Sequence, residues 1–103
     1  MSRWIRVADT SELYPESGKL VYLDGRPVAL FEASGTYYAL DDTCSHSGGP
    51  LSEGFLEDGL VECPWHGARF ELATGRVVRP PAAQDVRTYP TRRHDSEILV
   101  EAP

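Results

Sequence analysis

The hydrophobic positions of the chain fall in short, β-rich runs, and polar turn signals stand between them. Four of these signals contain glycine: Asp24-Gly25, Ser34-Gly35, Asp58-Gly59 and Thr74-Gly75. The runs predict strands over Lys19–Leu23, Val28–Ala33, Tyr37–Leu40, Leu60–Glu62, Arg69–Leu72, Asp85–Tyr89 and Glu97–Val100. One helical turn is predicted at Ser11–Tyr14, ending at Pro15. We therefore expect an all-β protein with antiparallel strands in a barrel or sandwich.

Two segments depart from this pattern, Thr43–Ser52 and Glu62–Phe70. Both are rich in glycine and proline, and together they hold both cysteines and two of the three histidines of the chain. Glycine and proline here indicate tight backbone that brings main-chain N–H groups close to a ligand. The stretch from about residue 42 to residue 82 is thus predicted to be a ligand-holding insert in the β scaffold.

The size of the chain, 103 residues, predicts a single domain over residues 1–103. Its hydrophobic content of 41% is that of a globular protein. No stretch approaches the roughly 20 apolar residues that span a bilayer. The N-terminal segment 1–6 alternates charged and apolar residues and lacks the apolar core of a secretory signal. We therefore expect a cytoplasmic protein without a membrane anchor.

The net charge of −6 is unevenly distributed along the chain. Between residues 41 and 62 there is no lysine or arginine, but there are six carboxylates: Asp41, Asp42, Glu53, Glu57, Asp58 and Glu62. An acidic chain lacks the clustered cations that phosphate contacts require, which argues against nucleic acid as a partner. The carboxylates either solvate a loop or steer a partner that carries a basic patch.

The candidate ligands form two short motifs, Cys44-Ser45-His46 and Cys63-Pro64-Trp65-His66, separated by sixteen residues. Each motif supplies one thiolate and one imidazole, which suits a two-iron cluster with two cysteines on one iron and two histidines on the other. A Cys₂His₂ zinc site is the alternative, although zinc sites usually pair cysteine with cysteine and histidine with histidine. A disulfide between the two cysteines would leave both histidines unexplained.

These motifs resemble those of the Rieske family, Cys-x-His followed after a similar gap by Cys-x-x-His. The resemblance extends to the glycines after each histidine and to Pro80-Pro81, where the family places a proline loop over its cluster. It implies one [2Fe–2S] cluster in a small antiparallel β scaffold with an inserted cluster-binding subdomain. The ligands that it implies are Cys44, His46, Cys63 and His66.

The other polar residues near these motifs lead to weaker expectations. Ser45 and Ser47 are predicted either to donate a hydrogen bond to a cluster sulfur or to stabilise their turn. His94, the third histidine, is predicted to be an exposed turn residue.

Departures from the Rieske proteins of the respiratory and photosynthetic cytochrome complexes indicate the branch that the chain resembles. Those proteins carry an extra cysteine in each loop, at the positions of Gly49 and Trp65, and these cysteines form a disulfide. They also carry a serine and a tyrosine that donate to cluster sulfurs, at the positions of Ala68 and Phe70. Without these donors the reduced state is less stabilised. We expect a reduction potential near the low end of the Rieske range, roughly −150 mV.

With its expected low potential, its short length and no cysteines for the disulfide, the chain resembles the ferredoxin component of bacterial aromatic-ring-hydroxylating dioxygenase systems. This resemblance implies an electron carrier rather than an enzyme. It would take single electrons from a flavin-dependent NADH or NADPH reductase and deliver them to a terminal oxygenase, and a monomer suits such a shuttle. Two alternatives stay open: a redox subunit of another complex, such as a nitrite reductase small subunit, and a zinc-stabilised interaction module.

Overall fold

The structure is a computed structural model that describes residues 3–45, 48–65, 67–79 and 84–103. Within these ranges the chain forms two short 3-10 helices, Thr10–Glu12 and Leu51–Glu53, and eleven β-strands. The strands are β1 Arg3–Asp9, β2 Ser17–Leu23, β3 Arg26–Ala33, β4 Thr36–Asp41, β5 Phe55–Glu57, β6 Leu60–Glu62, β7 Arg69–Glu71, β8 Val77–Arg79, β9 Thr88–Tyr89, β10 Thr91–His94 and β11 Glu97–Ala102. The all-β prediction is confirmed.

The strands form three antiparallel sheets, which we call the first, middle and third sheets. Their orders are β1-β11-β10, β2-β3-β4-β9 and β5-β6-β7-β8. None of the helices in the described part of the chain has the length and apolar content needed to cross a membrane.

The middle sheet separates two hydrophobic cores, because strand β3 is buried on both faces. Val28 and Leu30 belong to a core shared with β11 of the first sheet. Ala29 and Phe31 belong to a second core, shared with the third sheet and with both candidate cysteines. We call this second cluster of buried residues the cysteine core. The alternation of side chains along one strand thus assigns neighbouring residues to different cores.

Three of the four glycine-containing turn signals form two-residue hairpin turns. Asp24-Gly25, Ser34-Gly35 and Asp58-Gly59 each have positive φ at both residues. This is the geometry of a type I′ turn, whose twist matches that of paired antiparallel strands. The turns fix the register of the hairpins, so that Leu23 pairs with Arg26 across the first of them.

The predicted strand Asp85–Tyr89 is wrong in its extent, since only Thr88–Tyr89 pairs with β4. The Asp85 carboxylate instead accepts a hydrogen bond from the Val77 N–H (2.9 Å). The Val86 N–H donates to the carbonyl of Gly75 (2.8 Å). These bonds hold the segment against the turn between β7 and β8, and they replace the ladder that a strand would form.

The predicted helical turn at Ser11–Tyr14 is a 3-10 helix over Thr10–Glu12. It begins earlier than predicted because Asp9 caps it, accepting a hydrogen bond from the Ser11 N–H (2.9 Å). Strands β1, β5, β8 and β10 are additional to the predicted ones. β1 contains a bulge between Arg6 and Ala8, which interrupts its pairing with β11.

Candidate metal centre

The first candidate ligand loop is closed by main-chain hydrogen bonds. The Cys44 N–H donates to the carbonyl of Gly49 (2.9 Å), and the Gly48 N–H donates to the carbonyl of Cys44 (3.0 Å). Gly48 has a φ of +77°, a conformation that glycine adopts without steric cost. A bridge between Thr43 and Pro50 closes the base of the loop.

The second candidate ligand loop repeats this geometry with a different sequence. The Cys63 N–H donates to the carbonyl of Ala68 (2.8 Å), and the Gly67 N–H donates to the carbonyl of Cys63 (3.1 Å). Gly67 also has a φ of +77°. Both cysteines are therefore held at the same position of the same kind of turn, as two equivalent ligands of one centre would be.

The two loops lie against each other in the cysteine core. Cys44 is 2% exposed and Cys63 is 1% exposed. A Cβ added to Gly49 of the first loop would lie only 2.8 Å from Sγ of Cys63 in the second. Two buried soft donors, one on each of two loops that contact each other, fit the requirements of an iron–sulfur cluster.

His46 and His66, the predicted imidazole ligands, lie outside the described residues, as do Ser47 and Pro80-Pro81. The structure therefore brings the two cysteine loops together without testing the histidines. Their assignment as ligands stays a prediction.

The hydroxyl of Ser45 donates a hydrogen bond to the carbonyl of Gln84 (2.6 Å). Of the two roles predicted for Ser45, this contact supports stabilisation of the loop. It also connects the first loop to the segment that Asp85 and Val86 attach to the third sheet. His94 is exposed, as predicted, with Nδ1 3.9 Å from Oδ2 of Asp95, but it is the last residue of β10 and pairs with Glu97 rather than lying in the turn.

Asp42 is predicted to solvate a loop or to steer a partner, but in the structure it is buried beside the first ligand loop. It is the one buried charged residue within the described ranges. Its Oδ1 accepts a hydrogen bond from the Ser52 N–H (2.8 Å), and its carbonyl accepts one from the Leu51 N–H (2.6 Å). Asp42 thereby joins the two ends of the first ligand loop. Its position in a run of acidic residues gave no signal of this role.

Two more of the six carboxylates take part in ion pairs. Oδ1 of Asp41 lies 3.1 Å from Nε of Arg26, and Oε1 of Glu62 lies 2.8 Å from Nε of Arg69. The remaining three are exposed: Glu53, Glu57 and Asp58. Any steering of a partner by the acidic stretch therefore depends on these three.

Tyr89 packs beside the strand that leads into the first loop, and its hydroxyl donates to Oδ1 of Asp41 (2.6 Å). Burial of the phenol, followed by this hydrogen bond and by the Asp41 charge, raises the pKa of Tyr89 to about 12. Each of these effects favours the neutral form of the side chain in the folded protein.

We expect this raised pKa to appear in the pH dependence of stability. The folded pKa of about 12 lies above the unfolded value, so the contribution of Tyr89 to the free energy of unfolding is complete below about pH 10. It is lost as the pH rises through the folded pKa. The difference in unfolding free energy between wild type and Tyr89→Phe should therefore fall across this window.

Ala68 and Phe70 are fully buried in the cysteine core, where neither side chain carries a hydroxyl. We expect Ala68→Ser and Phe70→Tyr each to raise the reduction potential, because a hydroxyl donor stabilises the more negative reduced state. A differential hydrogen-bond energy of about 1 kcal/mol corresponds to about 40 mV in a one-electron couple. Protein-film voltammetry measures the shift.

The matched control for Phe70→Tyr is Val61→Thr. Val61 is Phe70's partner in the β6–β7 register and is equally buried, so threonine adds a hydroxyl to the same core. We expect it to lower stability without raising the potential. Equal potentials in Phe70→Tyr and wild type would contradict the expectation that the missing hydroxyls lower the potential.

The family model described as the Rieske [2Fe–2S] domain matches residues 3–90. A ferredoxin component of a naphthalene 1,2-dioxygenase system from Pseudomonas aeruginosa is 36% identical over 100 residues, covering 96% of this chain and 95% of that protein. A 3-phenylpropionate/cinnamic acid dioxygenase ferredoxin subunit from Shigella boydii serotype 4 (strain Sb227) is 42% identical over 99 residues, covering 94% and 89%.

Among solved structures, the chain is similar to one in a complex of reduced oxygenase and oxidised ferredoxin in carbazole 1,9a-dioxygenase. The TM-score is 0.87 with 31% identity, and the alignment covers 94% of this chain and 91% of that one. The family match includes both cysteine loops and strands β1 to β9, and it ends before β10 and β11. The chain therefore belongs to the Rieske [2Fe–2S] family, whose members carry one such cluster.

Proposed function

We propose that this protein is the electron-carrying ferredoxin of an aromatic-ring-hydroxylating dioxygenase system. The observation that carries this proposal is the match, over nearly the full length of both chains, to ferredoxin components of two dioxygenase systems. Those relatives are named as a ferredoxin component and a ferredoxin subunit of their dioxygenase systems. We accordingly assign this chain the role of a carrier and not of an enzyme.

The proposed ligands are Cys44 and Cys63 on one iron and His46 and His66 on the other. Burial of both thiols and contact between their loops support the cysteine half of this set. When bound, a [2Fe–2S] cluster accepts and returns one electron. The chain's own contribution is to hold both thiolates in place and keep water from them. We assign the cluster-binding part to about residues 42–82 of a single domain over 1–103.

The proposed partners are a flavin-dependent NADH or NADPH reductase as donor and a terminal oxygenase as acceptor. The carbazole system supports the second partner by analogy, because its structure holds a ferredoxin together with an oxygenase. A net charge of −6 argues against nucleic acid as a partner. We further propose a cytoplasmic monomer, since a shuttle must leave one partner before it meets the next.

The test of this function combines three purified proteins. The holoprotein should be reduced by a flavin reductase with NADH or NADPH, and aromatic product should form only when ferredoxin, reductase and oxygenase are all present. Productive coupling to a nitrite reductase instead would favour the alternative redox subunit. Zinc in place of iron, with no rhombic electron paramagnetic resonance signal after dithionite, would favour the interaction module.

The three exposed carboxylates Glu53, Glu57 and Asp58 predict salt-dependent docking. Redox interfaces are small, below about 1,200 Å² in total, so long-range attraction affects the association rate more than the affinity. Neutralising all three as Gln, Gln and Asn should slow electron transfer to the oxygenase by about tenfold at low ionic strength. Stopped-flow kinetics over a salt series measures this effect.

The control for this variant neutralises three carboxylates on the first sheet and its turn: Asp95, Glu97 and Glu101. The first sheet lies on the other side of the middle sheet from the cysteine core. Similar salt dependence in both triple variants and wild type would eliminate steering by the acidic stretch.

A further inference from the structure

Gly49 has no space for a side chain. A Cβ at this position would lie 2.8 Å from Sγ of Cys63 and 3.0 Å from both Cγ and Cδ2 of Trp65. Real Cβ atoms do not approach heavy atoms this closely without a shift of the neighbour. Gly49 is buried and is not among the residues with positive φ. Glycine is therefore required here by the close approach of the second ligand loop, and not by backbone conformation.

The adjacent Gly48 has the opposite requirement. Its φ is +77°, and a Cβ there would meet nothing within 4 Å. Gly49 is therefore needed because a side chain would clash, and Gly48 is needed because of its left-handed backbone. This difference provides a matched pair of variants, in which the same methyl group creates either a clash or a backbone strain.

The ring of Trp65 lies close to the sulfur of Cys63. Because the sulfur and two ring atoms, Cγ and Cδ2, lie within 3.0 Å of one Cβ position, the sulfur is no more than about 6 Å from these two atoms, close to the distance of sulfur–aromatic contacts. Trp65 is 59% exposed, whereas Cys63 is 1% exposed. The indole therefore stands on the solvent side of the buried thiol.

We infer that Trp65 is a positioning residue that joins the two ligand loops and excludes water from the Cys63 side of the cluster, with Gly49 as the surface on which its ring packs. This inference rests on the proposed ligand role of Cys63. Reduction adds one negative charge to the centre, and an apolar cover solvates that charge less well than water does. Trp65 accordingly lowers the reduction potential and slows the loss of iron.

The first test compares Trp65 variants of the holoprotein. Trp65→Ala opens the cover, so the potential should rise and bleaching of the visible absorbance by a chelator should become several-fold faster. Trp65→Phe keeps an aromatic ring and should stay close to wild type, and Trp65→Leu should be intermediate. Trp4→Ala is the control, because Trp4 lies on the first sheet, 4.1 Å from the Arg92 guanidinium. It should leave the potential unchanged.

The second test uses the matched glycines. Gly49→Ala forces the indole or the thiol to move, so its potential should rise as in Trp65→Ala. Gly48→Ala should reduce stability without shifting the potential. The shifts of Gly49→Ala and Trp65→Ala should be non-additive in the double variant, because both remove the same contact.

The outcomes separate this inference from the function on which it rests. A Trp65→Ala or Trp65→Leu protein with wild-type absorbance, wild-type potential and wild-type bleaching rate overturns the inference and leaves the ligand set intact. Equal shifts from Gly48→Ala and Gly49→Ala overturn it as well. A wild-type protein that binds no iron overturns the proposed function instead.

Discussion

We expect Cys63→Ala to abolish cluster binding, and with it the colour and redox activity of the protein. We propose four protein ligands for the cluster, and the buried thiol of Cys63 is one of them, on a loop that contacts the loop of Cys44. Cys44→Ala, His46→Ala and His66→Ala should have the same effect. Iron and acid-labile sulfide per chain, together with the electron paramagnetic resonance signal of the reduced protein, measure the loss.

His94→Ala is the control for these ligand variants. His94 is the third histidine of the chain and its side chain is 74% exposed, so its removal should leave the iron content unchanged. Retention of a wild-type signal in Cys63→Ala, or loss of iron in His94→Ala, would show that the ligand set is wrong. Loss of the cluster should also weaken the cysteine core, to which both thiols contribute.

Gly75→Ala should destabilise the protein by about 3 kcal/mol, from left-handed backbone strain and overpacking together. Gly75 has a φ of +75°, and a Cβ there would clash with the carbonyl oxygen of Val86. The same glycine accepts a hydrogen bond from the Val86 N–H (2.8 Å), so the two backbones cannot separate without losing it. Denaturant midpoints of the holoprotein measure the change.

Gly35→Ala is the matched control for this prediction. Its φ of +81° is similar, but a Cβ there would meet nothing within 4 Å. It should therefore cost only the backbone strain, about 1 kcal/mol. Equal midpoints in the two variants would show that the chain tolerates the approach of Gly75 to Val86.

The hairpins of the middle sheet could be predicted from sequence because their determinants are local. Asp24-Gly25 and Ser34-Gly35 encode their own turn type, and the turn fixes the register of the strands on either side. Strand β10 could not be predicted in this way. Its Arg92 and Arg93 do not favour a strand, and they are held in one by pairing with Leu99 and Ile98 of β11.

The candidate site shows the same division between local and distant causes. The spacing of Cys44 and Cys63 from their neighbours predicts both as ligands, because chelation constrains residues within a loop. The role of Asp42 depends on Ser52, ten residues away, and the packing of Trp65 on Gly49 depends on contact between the loops. Neither leaves a periodic or compositional trace in the sequence.

The burial of both faces of strand β3 constrains how the strand can pair with its neighbours during folding. Along this strand, Val28 and Leu30 belong to the core without cysteines, and Ala29 and Phe31 belong to the cysteine core. A slip of one residue would send every one of these side chains to the wrong core at once. The two cores thus favour the same strand register independently, and this protects the candidate metal centre from misfolding.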